Sequence, residues 1–156
     1  MQASGQGGWR LLDPGQGDLH VSGRLIGGCI ETVSILAGTR YGDLSTFATE
    51  LAPEGLILYL EASGDLATDI ARDLWRMRLA GWFDHANALL VGRTRAPDMA
   101  GFTQIDAVRS ALRGLDLPVI LDVDCGHVPP HLSLVNGALA RVTMTSEAQA
   151  LDQVLG

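Results

Sequence analysis

Lysine is absent from this chain: all eleven basic residues are arginine, and they are scattered rather than clustered. Against them stand 18 acidic residues, giving a formal net charge of -7. Nucleic-acid backbones are held by concentrated positive charge, so a chain with no basic stripe is not expected to take nucleic acid as a partner. Cysteine is scarce as well. Cys29 and Cys125 make neither a disulfide framework nor a CxxC pair, which points to a reducing, cytoplasmic setting. No run approaches eighteen consecutive apolar residues, so no membrane span is expected. Residues 1–8 lack the charged region and apolar stretch of a secretory leader. No G-x-G-x-x-G or Walker pattern occurs, leaving no motif for a nucleotide cofactor.

What is present suits one domain. A length of 156 residues with 47% hydrophobic content can bury a single sizeable core. Residues 1–18, rich in Gly and Asp, read as a flexible lead-in, and residues 19–156 as one α/β domain. His20 to Leu25 reads as a short strand stopped by Gly27-Gly28. Ile30, Val33, Ile35, Leu36 and Ala37 then suggest a buried helix closed by Gly38, with a helical turn near residues 46–51. The apolar run Leu56 to Leu60 and the segment Ala88 to Val91 have the composition of strands covered on both faces. Between them Ile70, Leu74 and Met77 recur at helical spacing, with Asp65 as N-cap and Gly81 as stop. Thr103 or Gln104 opens a further helix carrying Ile105, Val108 and Leu112 on one face, and Pro118 to Leu121 makes the next strand. Two strands, 132–135 and 138–142, are expected to join through the Asn136-Gly137 turn. Strands alternating with amphipathic helices specify the α/β class.

Two places set polar groups at the carboxyl ends of apolar strands, where α/β sheets commonly carry their sites. Glu61 closes the first apolar strand, an expensive neighbourhood for an unpaired carboxylate. It serves either as a functional acid or as an acceptor of backbone N–H groups in a turn. His127 follows Gly126 in a stiff loop with Pro129 and Pro130; it is either placed for proton transfer or an incidental loop histidine. Together they suggest a general base and the acid that orients it, a pair that needs a nucleophile. Ser63 lacks the glycines of a G-x-S-x-G elbow and reads as a turn residue. Cys125 lies too near His127 in sequence for an easy local pair. Cys29, at a helix start, reads as a small buried hydrophobe, with a depressed thiol pKa as the alternative. Asp122, Asp124, His127 and His131 offer metal-ligand atoms but match no zinc pattern, so no metal and no cofactor is expected.

Three stretches in series carry a resemblance. Gly27-Gly28-Cys29-Ile30-Glu31-Thr32 with Ala37-Gly38-Thr39-Arg40-Tyr41-Gly42 is the first; Leu58-Tyr59-Leu60-Glu61 with Arg72, Met77, Arg78, Leu79, Ala80 and Gly81 is the second. Gly126-His127, Pro129 and Asn136-Gly137 are the third. Over roughly residues 23–142 the chain resembles the C-terminal domain of the LD-carboxypeptidases, the group that includes the microcin immunity peptidases. The resemblance implies a swivelling β/β/α-type domain from a two-domain serine hydrolase. It implies Glu61 as orienting acid and His127 as general base. The nucleophilic serine and the oxyanion donors would lie in an N-terminal domain that these residues do not include. Implied substrates are L,D-linked murein peptides or peptidyl-nucleotide conjugates, in a cytoplasmic and often dimeric enzyme. Where many relatives have Asp after the Glu and a further Glu at the fifth position, this chain has Ala62 and Asp65, which leaves substrate preference open. The alternative is a stand-alone binding or regulatory domain without catalysis.

Overall fold

A computed structural model describes residues 2–4 and 8–155, without the side chains of residues 2–4 and 16. In chain order it contains β1 (Gln2–Ser4), β2 (Arg10–Leu11), β3 (Leu19–Cys29), α1 (Ile30–Val33), α2 (Leu44–Leu51), β4 (Leu56–Glu61), α3 (Ala67–Leu79), β5 (Ala86–Gly92), α4 (Gln104–Leu112), β6 (Val119–Val123), β7 (Leu139–Met144) and β8 (Gln149–Val154). All eight strands belong to one mixed sheet in the order β1-β8-β7-β3-β4-β5-β6-β2. The middle four run parallel, β3 to β6, and the outer strands pair antiparallel. The parallel half arises because each crossover carries an amphipathic helix back over one face of the sheet.

The sheet curls, since its two edges come from one short piece of chain. β1 sits on one edge and β2 on the other, so residues 4 and 10 must lie within about 20 Å of each other. Trp9 fastens the curl. Its backbone N–H donates to the Gln149 side chain of β8 at 3.0 Å, and its carbonyl accepts from the same amide at 2.9 Å. Its indole N–H donates to Asp124 at 3.0 Å, and the ring is 3% exposed. Two cores result, one on each face. The concave face holds Trp9, Leu25, Ile57, Leu90, Ile120, Val142 and Leu151. The other face packs Leu56, Leu58, Leu60 and Leu89 against Ile70, Leu74 and Met77 of α3 and Val108 and Leu112 of α4.

Several expectations change. Residues 1–18 are not simply a lead-in, because β1 and β2 complete the sheet; residues 1 and 5–7 lie outside the described set. Gly27-Gly28 does not stop a strand: β3 runs through both to Cys29. A Cβ on Gly27 would lie 1.7 Å from the Tyr59 carbonyl oxygen, so the glycine allows β3 to lie close against β4. The helix expected over residues 30–37 is one turn of α-helix followed by a 3-10 turn at Ser34–Leu36, with Ile35 and Leu36 exposed. Asp65 is not a cap, since α3 begins after Leu66 with no side-chain cap. Thr103 and Asp106, by contrast, form a capping box on α4.

Residues 132–135 form no strand. The buried Gln153 of β8 satisfies their backbone instead, accepting from Val135 N–H and donating to the Ser133 carbonyl, each at 2.9 Å. β8 itself gave no strand signal, because its pattern in sequence is broken by Asp152 and Gln153.

Met77 is fully buried in α3 among apolar neighbours. Met77→Ala is expected to lower the unfolding free energy by about 2–5 kcal/mol, read from urea denaturation. Half-buried Asp73, on the same helix, has its pKa raised by burial and by the charges of Asp65 and Glu31, against a bond to Ser34 and the charge of Arg76. A carboxyl whose folded pKa lies above its unfolded value loses stability as pH rises through the folded value. Asp73→Asn should therefore be more stable than the parent at pH 7, and thermal melts should show the difference closing below about pH 3.8.

Candidate functional site

The parallel strands β3, β4 and β5 end together, and the loop after β6 returns across them. Register pairs Cys29 with Glu61 across β3 and β4, and Gly92 with Val123 across β5 and β6. Glu61 is 5% exposed, although it ends a strand of apolar residues. Its partner is His127: ring Nδ1 lies 2.8 Å from Oε1, and the His127 backbone N–H donates to Oε2 at 3.4 Å. A carboxylate only accepts, so Nδ1 carries the shared proton and Nε2 is the uncommitted nitrogen. The His127 side chain is 63% exposed. A buried acid thus holds an accessible imidazole in one tautomer and one orientation.

Two glycines leave room for that contact. A Cβ on Gly126, whose φ is +95°, would lie 2.3 Å from Glu61 Cγ and 2.5 Å from its Oε2. A Cβ on Gly92 would lie 2.7 Å from Glu61 Cβ and 2.5 Å from the Cys125 carbonyl oxygen. A Cβ at Gly126 would have to displace the Glu61 carboxylate, and one at Gly92 would also press on the Cys125 backbone. The loop bearing His127 is anchored through Asp124, which is 3% exposed and accepts from the Trp9 indole. Asp124 also pairs with the Arg93 guanidinium at 2.6 Å. Arg93 reaches on to the carbonyls of Val128 and Pro130. The residue that closes the sheet therefore also holds the loop.

The remaining candidates separate. Asp122 forms an ion pair with Arg10 at 2.5 Å and Asp124 is committed to Arg93, so these two do not join His127 and His131 as one ligand set. Cys125 is buried, and its thiol is pushed up to about 12 by burial and by the charges of Glu61 and Asp124. Ser63 contributes its backbone N–H to Glu31 at 2.7 Å. Among the described residues no serine hydroxyl bonds the His127 ring.

Glu31 and Cys29 form a neighbouring cluster that sequence reasoning did not single out as a site. Glu31 Oε1 accepts the backbone N–H groups of Ser63, Gly64 and Asp65, while Oε2 accepts from Cys29 Sγ at 2.9 Å. Burial opposes ionisation of Glu31, but the Cys29 thiol and the N–H groups of Gly64 and Asp65 outweigh it and hold its pKa near 2. Cys29 moves the other way from a depressed thiol. Burial, its bond to Glu31 and the charges of Glu31 and Glu61 push it up to about 11. On the helical face of the sheet a cavity of about 520 Å³ opens among Leu60, Ile70, Leu74 and Val108, and touches Glu61 and Arg93.

Comparison with known proteins bears on family and fold. A family model described as the LD-carboxypeptidase C-terminal domain matches residues 22–142. A putative carboxypeptidase of Treponema pallidum is 28% identical over 139 residues, covering 86% of this chain and 39% of its own length. The microcin C7 self-immunity protein MccF of Escherichia coli is 30% identical over 126 residues, covering 78% of this chain and 34% of its own. The chain thus spans between a third and two fifths of the curated relatives it matches. A muramoyltetrapeptide carboxypeptidase from Oxalobacter formigenes superposes with a TM-score of 0.72 at 22% identity, over 88% of this chain and 47% of that one. An MccF-like protein from Streptococcus pneumoniae superposes with a TM-score of 0.64 at 24% identity, over 94% of this chain and 44% of that one. The curled α/β sheet is the fold these structures share, and by the family match over residues 22–142 this chain belongs to the LD-carboxypeptidase C-terminal domain family.

Proposed function

We propose that this chain is the acid–base half of a serine carboxypeptidase, in which Glu61 orients His127 and His127 takes the proton from a serine carried by a separate N-terminal domain. The observation that carries the reading is the 2.8 Å contact from a buried carboxylate to the Nδ1 of an exposed imidazole. A base with Nδ1 engaged offers Nε2 to a nucleophile, and the acid stabilises the imidazolium formed during attack. The exposure of His127 suits a partner that approaches from outside.

Further support comes from the segments that leave β3 and β4. Ile35, Leu36, Tyr41 and Leu66 are exposed at 65%, 39%, 73% and 42%, apolar surface of the kind a docking domain covers. The substrate class we assign is an L,D-peptide bond of murein peptides or a related peptidyl conjugate, hydrolysed in the cytoplasm. Two of the similar proteins, a muramoyltetrapeptide carboxypeptidase and a microcin C7 self-immunity protein, suggest these two chemistries by their names.

Residues 1–156 alone should not turn over an L,D-tetrapeptide, since base and orienter act only through a nucleophile and its oxyanion donors. With the nucleophile domain of its parent enzyme supplied in cis or as a second chain, turnover should appear. His127→Ala in that enzyme should reduce kcat/KM by roughly 10²–10⁴-fold, with Glu61→Gln also falling strongly. Robust hydrolysis by the chain alone, with a serine-directed inhibitor labelling one of its own serines, would sink the reading. Gly126→Ala should act through the same pair. Crowding the carboxylate should convert the single Nδ1–H tautomer of His127 to a mixture, visible in ¹⁵N-resolved imidazole NMR.

A further inference from the structure

The side-chain donors of Cys29, Glu61 and His127 lie within 4.8 Å of one another, one sulfur, one oxygen and one nitrogen. Sheet register brings the first two together. Cys29 and Glu61 are partners on adjacent parallel strands, so their side chains leave the same face of the sheet side by side. The contact to Glu61 brings in the third. We propose that these three side chains form a binding site for a thiophilic divalent cation, zinc being the natural occupant.

The donor set is a zinc set, thiolate, imidazole and carboxylate, and three protein ligands leave a fourth position for water. In tetrahedral zinc geometry such donors stand roughly 3.3–3.6 Å apart, given bonds of 2.0–2.3 Å. Separations of up to 4.8 Å therefore need to close by as much as roughly 1.2–1.5 Å, and the 2.8 Å contact to open by less than that. The exposed His127 imidazole can swing, and small rotations of the Cys29 and Glu61 side chains supply the rest. Charge favours a cation. Glu61 and the neighbouring Glu31 are carboxylates, and the metal adds a thiolate by displacing the Cys29 proton to solvent. One Cys29 S–H bond is lost and one sulfur–metal bond forms; the His127 proton passes through solvent from Nδ1 to Nε2 so that Nδ1 can bind the metal, and no oxidant or reductant is needed. Glu31, fixed by three backbone N–H groups, stays beside the sulfur. Neither buried Cys125 nor exposed His131 belongs to the cluster.

The inference rests on the geometry of the Glu61–His127 pair and not on the peptidase reading, but it bears on that reading. A cation held here occupies the carboxylate and the imidazole at once, so the metal-bound form has no free base and is a blocked state reversed by a chelator.

The test uses the whole 156-residue chain, reduced and stripped of metal, titrated with Zn²⁺ by calorimetry and with Co²⁺ by absorption. Expected are one equivalent of metal and a near-ultraviolet sulfur-to-cobalt band. Cys29→Ser should abolish the band and, like His127→Ala, weaken Zn²⁺ binding by more than about tenfold. Cys125→Ser should change neither, and circular dichroism should show that every variant is folded. Absence of stoichiometric binding overturns the proposal. So does a sulfur-to-cobalt band that survives in Cys29→Ser, or Zn²⁺ binding unaffected by His127→Ala. These readouts need no catalysis, so failure of the metal site and failure of the peptidase reading are separate results.

Discussion

A carboxylate that is 5% exposed at the end of an apolar strand must be compensated, because desolvation penalises its charge and solvent cannot repay it. In this domain the compensation comes from His127, through both its ring and its backbone N–H. That one requirement reaches far along the chain. It leaves no free space for a Cβ at Gly126, in the loop after β6, or at Gly92, at the end of β5, and it requires that loop to turn back over β4. The backbone around the site is therefore shaped by a single side chain, and the imidazole gains an orientation that a free loop histidine would lack.

The loop that returns needs an anchor of its own. Asp124 supplies it, taking the Trp9 indole on one side and the Arg93 guanidinium on the other. Because Trp9 is also clamped to Gln149, the group that fixes the His127 loop is the one that draws the two edges of the sheet together. Closure of the sheet and placement of the site are one network of hydrogen bonds. Networks of this kind tend to lose more on disruption than their separate bonds suggest. The candidate site thus depends on Trp9 and Gln149, near either end of the chain.

The same geometry gives the site two possible uses. An oriented imidazole with an accessible second nitrogen suits proton transfer to and from a partner's nucleophile. A thiol standing one strand away from the acid adds a soft donor, and turns the pair into a set of metal ligands. Each use requires the same two side chains, so they exclude each other, and the raised thiol pKa of Cys29 keeps the second dependent on a metal able to displace its proton.

Much of this was written locally. Apolar runs set β4, β5 and β6, helical spacing set α3 and α4, and the capping box of Thr103 and Asp106 fixed where α4 begins. Glu61 and His127 stood out as polar groups at strand ends, because an acid beside five apolar residues demands an explanation. Local pattern could not say why Gly27-Gly28 sits inside a strand, since the reason is a carbonyl on the neighbouring strand. Nor could it find β1, β2 and β8, whose pairing depends on a sheet edge built by distant residues, or the cover that Gln153 gives to 132–135. The sequence by itself determined which segments are strands or helices wherever burial imposes a period on them. The curl, the clamp through Trp9 and the meeting of Cys29 with Glu61 and His127 were decided by tertiary structure alone. Those contacts join residues tens of positions apart, and no local propensity registers a partner that only the sheet's register brings near.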